Sequence, residues 1–306
     1  CLALYPTFPL VLITFGSETP LTLALCLGAI LAYIRQRFSL AGLVAGLATL
    51  ARPDAVLVPV VLGLDSLLAF WRFRRPFPWR AGLAFLLVLA PWAVFAWNYF
   101  GSPLPVTLAA KQGQGAMAIS ERFLPGLGTI LGWYDSLPYR IEAVLGAIGA
   151  VFFLAKARPW GVLLAWTLLY FSAYSLLGVS RYFWYYTPLV PGFVALVGLG
   201  IEALSHLIAR LPLPEKEGFS LGRMAGLAVL LALAAFQIQS LLATRAQTDP
   251  RAIVYPQAGR WLRENTPEGA RVGMLEVGMI GYYAHRPVVD FAGLIQPEVA
   301  RQMEAQ

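Results

Sequence analysis

The sequence predicts a mainly α, polytopic membrane protein: a transmembrane helical bundle of about nine membrane segments, followed by a small C-terminal extracytoplasmic α/β domain. Three observations predict it. Hydrophobic residues make up 58% of the 306-residue chain and charged residues 13%, more apolar content than one soluble core can use. That surplus is gathered into long uninterrupted runs. After residue 243 the hydropathy falls abruptly.

The runs lie at residues 2–15, 20–34, 40–50, 55–70, 81–97, 141–155, 160–177, 188–207 and 224–243. Several are shorter than the ~17–25 residues of a spanning helix, and 40–50 is short enough to dip into the bilayer without crossing it. The third and fourth runs are separated by Arg52-Pro53-Asp54. Proline has no backbone N–H and pushes the residue before it out of the helical region, so one helix should stop near Ala51 and another start near Asp54. Gly42 and Gly46 have the spacing that lets two helices approach closely. Asp65 and Glu202 fall nearer the other end of their segments and receive no role.

Positive charge orients the segments. Loops 35–38, 71–80 and 156–159 and the hydrophilic linker 209–223 hold eleven of the 23 Lys and Arg residues. The alternate loops hold five: Arg52, Lys111, Arg122, Arg140 and Arg181. The first set is therefore assigned to the cytoplasm. Glu18, Arg52, Asp54, the long loop 98–140, Arg181 and everything after the last segment fall outside, whether 40–70 is two spans or a re-entrant hairpin. The organisation expected is a transmembrane domain over 1–243 with outer loop 98–140, and an extracytoplasmic α/β domain over 244–306, incomplete at Gln306. A chain that opens on Cys1 inside an apolar run, without a start methionine, reads as a fragment. The location expected is the plasma (inner) membrane.

The net charge of +7 needs no nucleic-acid partner, because its basic residues flank spans where membrane lipids are the natural counterpart. Cys1 and Cys26 lie in apolar surroundings, and His206 and His285 are far apart. No zinc-ligand spacing occurs, no cofactor is identified, and the sequence indicates no divalent metal. In the polar tail, 255–265 reads as an amphipathic helix with Ala258, Trp261 and Leu262 on one side, ended by Thr266-Pro267-Glu268-Gly269. Residues 271–276 read as a strand, 278–284 as a helical turn and 287–294 as a second strand. No glycine-rich phosphate loop precedes the helix, so nucleotide binding is not assigned.

Six outer-face residues are candidates for substrate binding: Arg52, Lys111, Arg181, Glu18, Asp54 and Tyr182. Charges at membrane depth cost roughly 2.5–3.5 kcal/mol each on insertion scales, which makes Arg52 and Asp54 functional suspects. The alternative is a self-neutralised turn, with Arg52 at one helix C-terminus and Asp54 capping the next helix. Arginine's planar fork suits phosphate and favours the functional reading. Thr19-Pro20 makes a good N-cap and first turn, with Glu18 near the positive helix end, so Glu18 either caps or contacts substrate. Lys111 either snorkels to headgroups or offers a point charge to phosphate. Arg181-Tyr182-Phe183-Trp184-Tyr185-Tyr186 is either an interfacial aromatic belt or a wall for an anionic, sugar-bearing lipid.

The ordered set Gly16-Ser17-Glu18-Thr19-Pro20, then Gly46 through Arg52-Pro53-Asp54, then Asn98-Tyr99-Phe100-Gly101-Ser102-Pro103-Leu104-Pro105 with Lys111, resembles the integral-membrane GT-C glycosyltransferases. The protein mannosyltransferase, aminoarabinose transferase and arabinofuranosyltransferase branches are the most similar. The tail from Trp261-Leu262-Arg263-Glu264-Asn265-Thr266-Pro267 to Val289-Asp290-Phe291-Ala292-Gly293-Leu294 is similar to the extracytoplasmic region of such proteins. The resemblance implies transfer of a sugar from a polyprenyl-phosphate donor to a glycan, lipid or protein acceptor at the outer face, with inversion at the anomeric carbon. It also implies an acidic general base in a first outer loop that no segment here matches, so the catalytic residue stays unknown and is expected upstream. The alternative function is a membrane transporter or lipid flippase, against which stands the lack of a repeat between 2–97 and 141–243. A noncatalytic scaffold for the outer domain is the third reading.

Overall fold

The computed structural model describes residues 4–103, 111–112, 115, 121–156, 158–209, 221–245, 249–296, 298–299 and 302. These residues are mainly helical. Among the described residues, five helical stretches are long and apolar enough to cross a membrane: Pro53–Phe73, Trp79–Phe100, Leu137–Ala155, Phe183–Ile208 and Leu221–Ala243. Thr19–Ile34, Phe38–Ala51, Phe123–Trp133 and Gly161–Leu177 are apolar but shorter. The chain divides into two compact units. One comprises Cys1–Pro103, Thr129–Ala173 and Tyr182–Leu241; the other comprises Leu104–Gly128, Tyr174–Arg181 and Leu242–Gln306.

The first run does not form one helix. It gives two single turns, α1 (Leu4–Thr7) and α2 (Pro9–Leu12), interrupted at Phe8, whose backbone is extended (φ −66°, ψ 125°). Pro9 is the cause, since proline disfavours the helical region at the residue before it. There follow α3 (Thr19–Ile34), α4 (Phe38–Ala51), a 3-10 turn (Pro53–Val56), α5 (Leu57–Phe73) and α6 (Trp79–Phe100). Helix α4 thus stops at Ala51, and Arg52 is extended (φ −149°, ψ 127°) ahead of Pro53. The region read as an outer loop holds α7 (Phe123–Trp133), and α8 (Leu137–Lys156) starts before residue 141 because Pro138 suits a first turn. Of the motif ending in Pro105, Leu104 and Pro105 lie outside the described residues, as does most of the linker 209–223. Helices α9 (Gly161–Leu177), α10 (Val190–Ile208) and α11 (Leu221–Arg245) complete the apolar set.

Small residues set the helix spacing in the first unit. A Cβ on Gly42 would overlap the backbone of Ala81, and one on Gly46 would press on Val88, so both glycines let α4 lie against α6. A Cβ on Gly149 would overlap the Leu196 carbonyl, and one on Gly200 the Leu145 carbonyl, which locks α8 to α10. Close backbone approach of this kind is how helices associate where apolar burial gives no net drive. The core joins Leu23, Cys26, Ala29 and Ile30 of α3 to Ala41, Ala45 and Ala48 of α4, Val58, Val61 and Leu62 of α5, and Trp166 of α9.

In the second unit, the Asp249 carboxylate accepts the backbone N–H of Arg251 at 2.9 Å and opens α12 (Arg251–Asn265). That helix begins before the 255–265 stretch read from the sequence and runs through Pro256, whose missing N–H forfeits one bond near the helix start. Strand β1 (Val272–Met274), α13 (Met279–Ala284) and β2 (Val288–Asp290) follow, with β1 and β2 parallel and Val272 opposite Val288. Arg286 ends α12 by donating from Nη2 to the carbonyls of Arg263 and Thr266, both at 2.7 Å. The buried Asp290 carboxylate accepts the N–H groups of Ala292 and Ile295, each at 2.9 Å, and fixes the turn after β2.

Candidate functional site

Arg52 lies where α4 ends, and its backbone N–H still closes the last turn on the Ala48 carbonyl at 2.9 Å. Its guanidinium meets Asp54 two residues on. Nε donates to Oδ1 at 3.1 Å and Nη2 to Oδ2 at 2.5 Å, the two-pronged geometry arginine offers a carboxylate. Nη1 donates to Oγ1 of Thr19 at 2.9 Å, across 33 residues of sequence. Tyr170 Oη, on α9, donates to Asp54 Oδ2 at 3.1 Å. The Tyr185 ring faces the guanidinium at 5.8 Å from centroid to Cζ, inside cation–π range. Arg52 is 6% exposed and Thr19 fully buried.

A cavity of about 10 Å³ borders this cluster, lined among others by Thr19, Cys26, Arg52, Asp54, Trp166 and Tyr170. That is the volume of about one water molecule. The indole Nε1 of Trp166 is buried without a hydrogen-bond partner among the described residues.

Two expected helix caps are not caps. The Thr19 hydroxyl accepts the Arg52 Nη1–H, while Ser17 Oγ accepts the Thr19 N–H at 3.2 Å; Thr19 is thereby inside α3, one residue past the position read for it. Asp54 is not an N-cap either: it lies inside the 3-10 turn whose cap position is Arg52, and arginine and tyrosine bond its carboxylate. Glu18 is exposed and makes no side-chain cap bond; its carbonyl accepts the N–H and hydroxyl of Thr22, both at 2.9 Å. Tyr182 stacks on Trp184 (4.5 Å, 15°) and meets Tyr185 edge-on at 5.9 Å. The ring pairs therefore link Tyr182 through Tyr185 to Arg52.

Lys111 and Arg181 belong to the second unit, where they are held near each other. The N–H and hydroxyl of Ser180 donate to the Lys111 carbonyl at 3.1 and 3.2 Å. The Arg181 N–H donates to the Glu121 carbonyl at 2.6 Å, and Arg122 and Ser180 form an antiparallel bridge. Arg181 Nε lies 2.9 Å from Glu121 Oε2, with both side chains partly exposed. Gly126 accommodates the Arg181 side chain, whose Cβ, Cγ and Cδ occupy the space a Cβ would need.

A second buried polar cluster has no counterpart in the sequence reading. Gln237 Nε2 on α11 donates to Glu142 Oε1 on α8 at 2.9 Å, and Thr7 Oγ1 donates to Gln237 Oε1 at 2.6 Å. Glu142 is 1% exposed and Gln237 fully buried. The available signal was one acid and one glutamine, each inside a different apolar run. Asp65, given no role, accepts the Tyr33 hydroxyl at 2.7 Å, and Tyr33 also meets Ser66 at 2.9 Å.

Among the described residues no group of three or more His, Cys, Asp or Glu side chains is placed to hold a metal ion. A family profile for a domain of unknown function (DUF8728) matches residues 237–306, the end of α11 and the tail that follows. No curated protein and no solved structure matches the chain.

Proposed function

We propose that this chain is a GT-C-type membrane glycosyltransferase that moves a sugar from a polyprenyl-phosphate donor to an acceptor at the outer face of the membrane. The observation that carries the reading is the Arg52–Asp54 pair, its arginine buried and its acid half-buried at a break between apolar helices, braced by Thr19, Tyr170 and Tyr185. Stability alone gives little reason to keep it, since a buried ion pair is often no more stabilising than apolar residues of equal volume. In this reading α3, α4, α5 and the further apolar helices form the membrane domain of about nine segments, with the β1–α13–β2 module outside the plasma membrane.

The transfer forms a bond from the acceptor oxygen to the anomeric carbon and breaks the bond from that carbon to the phosphate oxygen. Polyprenyl phosphate leaves with the electron pair, and the acceptor proton passes to a base. Cations stabilise the charge that grows on departure, and Arg52 takes that role at the donor phosphate; Lys111 and Arg181, in the other unit, stay candidates for phosphate contact from the sequence alone. Asp54 and Glu18 position those cations or the acceptor, and Tyr182 supplies an aromatic wall. None of the six is assigned as the base. The test gives the full-length protein in membranes a panel of radiolabelled polyprenyl-phosphate sugars and follows release of free lipid phosphate. Release above that of empty membranes is expected with at least one donor; no release with any of them refutes the enzyme.

A further inference from the structure

We infer that α4, α5 and α6 enclose a binding cleft for one anionic glycerophospholipid, its acyl chain between α5 and α6 and its phosphate on the arginines of the α5–α6 loop. The cleft has a volume of about 290 Å³ and is lined almost wholly by apolar atoms, with Val60, Gly63, Phe77, Gly82 and Phe85 among its walls. It exists because α6 packs on α4 while α5 and α6, consecutive in the chain, scarcely touch.

Glycine chemistry separates this cleft from ordinary helix packing. Gly42 and Gly46 are small because α6 presses on them, but a Cβ on Gly63 or Gly82 would meet nothing within 4 Å. Glycine inside a helix is unfavourable relative to alanine. At these two positions no contact with the described residues requires it, and its effect is to widen the cleft.

Charge identifies the occupant. The α5–α6 loop contributes Phe77 and Pro78 to the lining, and Arg75 and Arg80 each stand two residues from them. Arg72, Arg74, Arg75 and Arg80 are all exposed. Arg74 closes α5 with a left-handed backbone (φ 53°), a position that glycine usually fills. Tyr33 at the end of α3 bonds Asp65 of α5 and lines the cleft together with Phe77 and Pro78, so Arg35 and Arg37, just beyond Tyr33, follow at the same end. Trp79, with the Arg80 guanidinium 5.6 Å from its ring, adds an interfacial anchor. An apolar slot ending among arginines suits a lipid chain with a phosphate head.

Native mass spectrometry of the full-length protein in detergent tests this with phosphatidylglycerol and phosphatidylcholine at equal concentration. The wild type should retain phosphatidylglycerol preferentially. Arg75→Ala and Arg80→Ala should each weaken that retention by roughly fivefold, the effect of one basic residue near an anionic lipid. The double change Gly63→Leu with Gly82→Leu should abolish it, while Gly63→Ala should leave it near wild type and unfolding temperatures should match. Undiminished retention by the leucine variant overturns the cleft. Equal retention of phosphatidylcholine, or tighter retention of polyprenyl phosphate than of phosphatidylglycerol, overturns the assignment of the occupant.

Discussion

Two buried polar clusters in one helical unit solve the same problem differently. At the α4–α5 break a cation and an anion are brought together by local sequence and braced from α3 and α9. Between α8 and α11 a single acid, Glu142, is met by the amide of Gln237, and among the described residues no salt bridge reaches it. The first depends on a charge balance and the second on hydrogen bonding. Removing one member should therefore cost far more in the first than in the second.

The largest effect is expected for Arg52→Met, which leaves the half-buried Asp54 carboxylate without its arginine. Loss of about 3–5 kcal/mol of stability, read as reduced unfolding temperature in detergent, is the expectation. A loss like that of an exposed ion pair would erase the distinction between the clusters. Glu142→Leu should cost about 1–3 kcal/mol, the desolvation left on the Gln237 amide, while Glu142→Gln keeps an acceptor and should stay within about 1 kcal/mol of wild type. A Glu142→Gln loss as large as that of Arg52→Met would mean that the acid contributes by its charge and not only as a hydrogen-bond acceptor.

Legibility in the sequence follows the same division. Pro53 announced the break and Arg52 and Asp54 are two residues apart, so the pair could be read locally, along with the mainly helical class and the order of helix, strand, helix and strand in the tail. The partners could not. Thr19 is 33 residues from Arg52, Tyr170 is 116 from Asp54, and Gln237 is 95 from Glu142. A hydroxyl beside a proline looks like a cap from the sequence, and only folding aims it at an arginine. Glu142 sits near the start of its run, two residues from Arg140, where an acid in the sequence resembles an interfacial residue.

Replacing both members of the pair, Arg52→Met with Asp54→Leu, sharpens the comparison further. Stability should return to within about 1 kcal/mol of wild type or exceed it, because no uncompensated charge remains. Persistent loss in the double variant would mark the pair as structurally required.

The smallest effect belongs to the exposed pair in the tail. Hydrogen bonds from the Arg251 side chain, and then from its backbone, hold the Asp249 carboxyl below the ordinary carboxylate range. A group depressed on folding contributes stability above its unfolded pKa of about 4 and loses it as pH falls through the folded value. Asp249→Asn should therefore leave the unfolding temperature unchanged at low pH and lower it only slightly at pH 7. Equal sensitivity at both pH values would show that the Asp249 side chain acts without its charge.

The decisive measurement is donor turnover by the folded double variant Arg52→Met with Asp54→Leu, as release of lipid phosphate from the labelled polyprenyl-phosphate sugar that wild type consumes. If the buried pair serves donor recognition, the variant melts like wild type and release falls by two orders of magnitude or more, roughly 2.7 kcal/mol of transition-state stabilisation. Wild-type turnover from that stable variant would contradict the account.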